Sequence, residues 1–193
     1  MADDAGSTPV RCAKDGQDWQ IGGDAEVAWI VAGTATGLAI TSAIPSAFER
    51  YATIVVPSEH AMREEDDRVV LAVLSEQSPG QRWWLGYLDT GADDVVFPHA
   101  PMVTMYTGWH YVLVEAGPLQ AATWRAASSW RGALPDVIFP ADRSWLLSTL
   151  WDDEWRCIGA SAALIDVLQR AARLQLRTVS LEEDATPPGY QAR

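Results

Sequence analysis

No apolar run in this chain comes near the roughly 20 residues that a helix needs to cross a bilayer, although hydrophobic residues make up 48% of it. The expectation is a soluble protein that buries a core. Cysteine is almost absent: Cys12 and Cys157 are the only two in 193 residues, far apart and outside any metal-ligand spacing. Reduced thiols are expected rather than a disulfide framework. The first 18 residues include Asp3 and Asp4 and no apolar stretch, so no secretory signal is read there and a cytoplasmic location is expected. Histidine is sparse too. His60, His99 and His110 do not pair at a spacing that would bring two of them to one metal. Asp93, Asp94 and His99 could meet a cation, but a solvated turn accounts for the same residues. Phosphate-loop and dinucleotide glycine patterns are missing, and no serine stands in a Gly-x-Ser-x-Gly elbow. No metal and no cofactor are expected.

Positive charge is also short. Fourteen Lys and Arg face 26 Asp and Glu, a net charge of -12. Such a chain repels phosphates and anionic lipid, so neither nucleic acid nor a membrane is an expected partner, whereas a basic protein is attracted.

The length suits one domain. Residues 1–18 are polar and read as a flexible N-terminal segment, 19–183 as a single domain, and 184–193, with Pro187-Pro188, as a flexible tail. Asp24 caps a helix through Val31 that weakens at Gly33, and a short helix is read over Pro45 to Tyr51 before a strand from Ala52 to Val56. Val69, Val70, Val73 and Leu74 recur at helical spacing behind Glu64-Glu65-Asp66-Asp67, whose charge suits the positive end of a helix. Strands are predicted at Trp83 to Leu88, Val103 to Thr107, Tyr111 to Glu115, Val137 to Phe139, Ser144 to Trp151, Trp155 to Ile158 and Leu176 to Leu181. Pro118 opens a helix through Trp124, and Ser161 caps one with Leu164, Ile165, Leu168 and Ala172 on one face. This order predicts an α+β fold, a largely antiparallel sheet with flanking helices. An echo of Asp94-Val95-Val96-Phe97-Pro98 in Asp136-Val137-Ile138-Phe139-Pro140 extends over 94–121 and 136–163, which suggests two comparable β-units.

Three stretches carry candidate chemistry. Leu88-Asp89-Thr90-Gly91-Ala92-Asp93-Asp94 resembles the active-site loop of retropepsin-type aspartic proteases. That resemblance implies a homodimer in which Asp89, Thr90 and Gly91 of each copy form half of a two-carboxylate site. The surroundings argue for a hairpin instead, with Trp83 to Leu88 as one strand, Asp89 to Asp94 as the turn and Val95 to Phe97 as the return. Catalytic residues are therefore read as none. Trp151-Asp152-Asp153-Glu154-Trp155 sets three carboxylates between two tryptophans, a candidate contact patch for a basic partner. In Trp83-Trp84, strand alternation turns one ring inward and leaves the other as a surface candidate. Ten tryptophans in all leave room for a third reading, a small-ligand binder with a Trp-lined pocket.

The run Phe139-Pro140-Ala141-Asp142-Arg143-Ser144-Trp145 through Ile158-Gly159 resembles acidic proteins of high-GC actinobacteria. The general form, a small acidic α+β domain, is similar to the immunity proteins of bacterial toxin systems, including the SUKH group. The resemblance implies a non-enzymatic, protein-binding, toxin-neutralising role, and the residues read above, Trp83, Trp84 and Trp151, Asp152, Asp153, Glu154 and Trp155, are the candidates for its interface.

Overall fold

The computed structural model describes residues 9–91, 95–125, 133–150 and 154–187. Among them a ten-stranded, wholly antiparallel sheet carries four α-helices. The strands are β1 (Arg11–Lys14), β2 (Gln17–Ile21), β3 (Arg50–Val55), β4 (Trp83–Leu88), β5 (Val103–Met105), β6 (Trp109–Ala116), β7 (Val137–Pro140), β8 (Leu146–Ser148), β9 (Trp155–Ala160) and β10 (Leu176–Val179). They lie side by side in the order β1-β2-β6-β4-β7-β8-β9-β3-β10, with β5 paired to β6. The helices are α1 (Asp24–Gly33), α2 (His60–Gln77), α3 (Pro118–Thr123) and α4 (Ala162–Arg170). The predicted α+β class with a largely antiparallel sheet and flanking helices is what the chain adopts.

Both faces of the sheet are covered. Trp83, Leu85 and Tyr87 of β4 join one core with Val70, Leu71 and Leu74 of α2, Ala121 of α3 and Leu164, Ile165 and Leu168 of α4. Trp84 and Leu88 join a second core, under Val27 and Ile30 of α1 and Ile40, Ala43 and Ile44 of the loop that follows. A strand covered on both faces has no solvent side, so all six residues of β4 are buried. Trp83 and Trp84 do alternate as expected, but neither ring is a surface anchor. Gly159, within β9, lets Phe48 and Ile44 pack against its backbone; a Cβ there would sit 2.4 Å from Phe48 Cδ2.

Local signals placed several elements well. Ser161 Oγ accepts the Leu164 N–H at 3.3 Å and starts α4, and Pro118 stands at the first turn of α3. In α1 the cap is Gly23 rather than Asp24, with the Glu26 carboxylate accepting the Gly23 N–H at 2.7 Å.

Long-range contacts overturned other expectations. The hairpin from Trp83 to Phe97 does not form, because β6 and β7 occupy the two sides of β4. Val95, Val96 and Phe97 instead enter the helix-side core without strand pairing, Phe97 at φ 62° and edge-on to Trp124. The 94–98 echo is thus not repeated as structure, since Val137 to Pro140 is strand β7. Gly117 and Gly159, which fall at the same place in the two echoed stretches, differ too, the first capping α3 and the second lying inside β9. No helix forms over Pro45 to Tyr51; a 3-10 turn occupies Ile40–Ser42, and the Tyr51 hydroxyl ties the Phe48 N–H and C=O at 2.9 Å each ahead of β3. Helix α2 starts at His60, earlier than the acidic run suggested. Asp66 and Asp67 therefore lie beyond its first turn and are buried against arginines, rather than facing solvent at a helix end.

The segment read as a loose N-terminus contains β1, the turn and the start of β2. Its turn, Asp15-Gly16 at φ 54° and 75°, matches a two-residue type I′ loop, and Asp15 Oδ2 accepts the Trp124 indole N–H at 2.7 Å. At the other end, Ala185 is buried and its N–H donates to Leu38 O, while Arg177 bonds the carbonyls of Asp184 and Thr186. The chain is therefore tied down as far as these residues.

Candidate functional site

The sheet and α2 frame an acidic cleft. Strand β3 ends at Val55, whose N–H donates to Gln175 O, and the next N–H, of Val56, donates to Glu154 O at 2.8 Å. Pro57 then turns the chain into α2. Arg63 bonds the carbonyls of Pro57 and Ser58 at 3.0 Å each, which steadies the loop at the helix start. A cleft of about 270 Å³ opens here, lined by Val55, Pro57, Glu59, Met62, Asp66 and Arg173 among others.

Asp66 is the unusual member. Its side chain is 5% exposed, and Arg173, 41% exposed, brings Nε to 2.9 Å from Oδ1. That contact is an ion pair without hydrogen-bond geometry, and Oδ1 accepts no hydrogen bond among the described residues. A buried carboxylate left short of hydrogen bonds favours an added donor. Neighbouring Asp67 is different: it holds buried Arg156 at 2.5 Å and accepts the Ala133 N–H at 3.3 Å, so its role is structural. Exposed Glu59 at the rim and Glu154 beside Val56 add negative charge, and exposed Met62 adds an apolar edge.

The candidates read from sequence fall unevenly around this cleft. Trp151, Asp152 and Asp153 lie outside the described residues. Glu154 is exposed, and Trp155 is half-buried, packed on the α1-side core and paired across the sheet with Val55. The start of β9 is thus paired with Val55, which lines the cleft. Trp83 and Trp84 are in the two cores and do not reach it. The other described tryptophans are likewise shared between the two cores or packed against them, rather than gathered in one pocket.

Asp89, Thr90 and Gly91 form a turn at the end of β4. Asp89 Oδ1 accepts the Gly91 N–H at 2.9 Å, Asp89 N–H donates to His110 O at 2.8 Å, and Gly91 sits at φ 74°. The carboxylate is exposed and engaged with its own loop, as an Asx turn requires. Asp89→Asn keeps that acceptor, so the stability should stay within about 0.5 kcal/mol of the wild type in a urea titration, with no peptidase activity in either protein between pH 3 and 7. Peptidase activity lost on this change alone would restore the protease reading.

Sequence reasoning missed Asp66 and Arg173. The signal was present: residues 66, 67, 70, 71 and 74 form the buried stripe of α2, and two of the five are aspartates. Among the described residues no group of three or more His, Cys, Asp or Glu is placed to hold a metal, and no helix is long and apolar enough to cross a membrane. The chain matches no protein-family model, no curated protein and no solved structure, so the geometry itself carries the functional reading.

Proposed function

We propose that this chain is a non-enzymatic binding protein, of immunity type, whose acidic cleft receives an arginine or lysine side chain of a basic protein partner. The observation that carries the reading is Asp66, a carboxylate buried at the cleft with one ion-pair contact and no hydrogen bond to Oδ1. A guanidinium or ammonium entering the cleft donates to that carboxylate, in a setting where charge-assisted hydrogen bonds are short and strong. Val55, Pro57 and Met62 offer apolar contact to the aliphatic stem. Glu59 and Glu154 contribute at longer range, steering a basic surface toward the cleft on a chain of net charge -12. The neutralising role rests on the general likeness to bacterial immunity proteins and on this charge.

The test uses an arginine-containing tetrapeptide as probe, with its citrulline counterpart as the uncharged control, in calorimetric titrations of the full chain. Binding of the arginine peptide should weaken steeply from about 50 to 500 mM salt, and Asp66→Asn should weaken it roughly tenfold or more. Glu154→Lys combined with Asp152→Lys and Asp153→Lys should slow association more than it speeds dissociation. Equal binding of the citrulline peptide, or an affinity indifferent to salt and to Asp66, would overturn the proposal.

A further inference from the structure

A second cleft opens toward the other edge of the sheet, where β2 and β6 part company. Their pairing consists of Gln20 with Glu115 and Ile21 with Val114 and stops there. Beyond it β2 continues alone with β1, while β6 ends at Ala116 and Gly117 turns into α3. The wedge left between them has a volume of about 360 Å³, lined by Arg11, Gln17, Asp18, Trp19, Arg82 and Glu115 among others.

The lining is balanced in charge, with two arginines and two carboxylates. Glu115 is the counterpart of Asp66: its side chain is 8% exposed, and its carboxylate is met by Arg82 Nη1 at 2.8 Å, Arg82 itself being 73% exposed. An ion pair with one partner so open to water holds its geometry weakly, so Arg82 is able to swing toward a ligand while Glu115 stays in place. Arg11 and Asp18, both exposed, repeat the two signs across the cleft. Backbone groups contribute as well. Ile21 N–H donates toward β1, to Val10 O, and Gly22 N–H toward β6, to Leu113 O. By strand alternation Asp18 then directs its main-chain N–H and C=O to the β6 side, past the point where β6 has stopped pairing. Trp19 borders the wedge from the other face of the sheet, where it packs on the helix-side core: its indole N–H donates to Lys14 O at 3.0 Å and its ring meets Trp124 edge-on at 4.8 Å.

We infer that this wedge is a binding site for a small zwitterion of the free α-amino acid type. An α-ammonium group matches Glu115 and an α-carboxylate matches Arg82, with Arg11 adding positive charge beside it. Two cations and two anions in one cleft select such a ligand: a purely anionic or cationic molecule faces like charge on one side, and a neutral polyol desolvates both ion-pairing groups without replacing their charge. The volume lies at the small end of ligand cavities and suits a single amino acid rather than a longer chain. The site is separate from the Asp66 cleft and does not depend on it.

The experiment is a two-dimensional amide and indole NMR titration of the full chain with L-phenylalanine, with N-acetyl-L-phenylalanine amide and D-glucose as probes lacking the charge pair. The expected result is a saturable shift of the Trp19 indole and Gly117 amide signals by L-phenylalanine below about 10 mM, and none by the other two. Glu115→Gln should weaken the binding roughly tenfold or more. Arg82→Gln, at an exposed position where folding is not at stake, should weaken it severalfold and is the variant to rely on if Glu115→Gln fails to fold. No saturable shift at Trp19 with L-phenylalanine, an equal response to the blocked amide or to glucose, or an affinity unchanged in Arg82→Gln would each overturn the inference.

Discussion

Asp136→Ala should lower the folding stability by about 3 to 5 kcal/mol, measured as the shift in a guanidinium unfolding curve. Asp136 and Arg125 are both buried, with Arg125 Nη2 at 2.5 Å from Asp136 Oδ2. The same carboxylate oxygen accepts the Leu88 N–H at 2.8 Å, at the end of β4. Arg125 Nη1 donates to Leu134 O at 3.0 Å, and its guanidinium lies 5.3 Å from the Tyr87 ring centre. Burial pushes the Tyr87 hydroxyl well above the usual tyrosine range, the Arg125 charge offsetting only part of this, so the ring stays neutral beside the pair. Removing the carboxylate takes the Asp136 charge away from a buried guanidinium and leaves the Leu88 N–H without this acceptor, and both effects act in the same direction. The double change Arg125→Met with Asp136→Leu should recover much of the loss, since it removes both charges and keeps apolar volume. A loss below about 1 kcal/mol for Asp136→Ala would mean that the pair is hydrated rather than buried.

Trp83→Ala should be comparably costly, about 3 to 5 kcal/mol. Trp83 is fully buried on the helix side of β4, its indole N–H donates to Ser78 Oγ at 3.0 Å, and its ring meets Trp145 edge-on at 5.0 Å. Ser78 closes the C-terminal end of α2, so the indole joins that helix to the centre of the sheet as well as filling volume. Alanine leaves a large cavity and removes the hydrogen bond that Ser78 Oγ accepts, whereas Trp83→Phe keeps much of the packing and should cost less. The measurement also separates two roles for this residue. A surface anchor would lose binding with little change in the denaturant midpoint, and a core residue shows the reverse.

What the sequence could say about the candidate sites was limited by how far each residue's partners lie along the chain. The 151–155 segment stood out because its carboxylates and tryptophans are adjacent, and of its described end Trp155 packs on the α1-side core and pairs with Val55 in the sheet. The residue at the heart of the acidic cleft did not stand out. Asp66 acquires its meaning from Arg173, more than a hundred residues away, and from the end of β3, which α2 approaches only in the folded chain. The wedge beside Glu115 depends on where a strand pairing ends, and no local pattern records that. One local signal was passed over: Asp15-Gly16 between two short polar strands is a hairpin turn by its own chemistry, and reading it would have moved the start of the domain back to Arg11.

By itself the sequence determined the class of the fold, the helix starts at Ser161 and Pro118, and most strand positions. These rest on caps, periodicity and turn residues whose energetics act within a few positions of the chain. Tertiary structure alone decided which strands became neighbours, that both faces of the sheet were covered, and that two aspartates of α2 turned inward. The reason is the same in each case. A strand in isolation shows which residues alternate but not how many layers will cover it, and a carboxylate in a helix shows its charge but not whether an arginine will arrive from elsewhere to make burial tolerable.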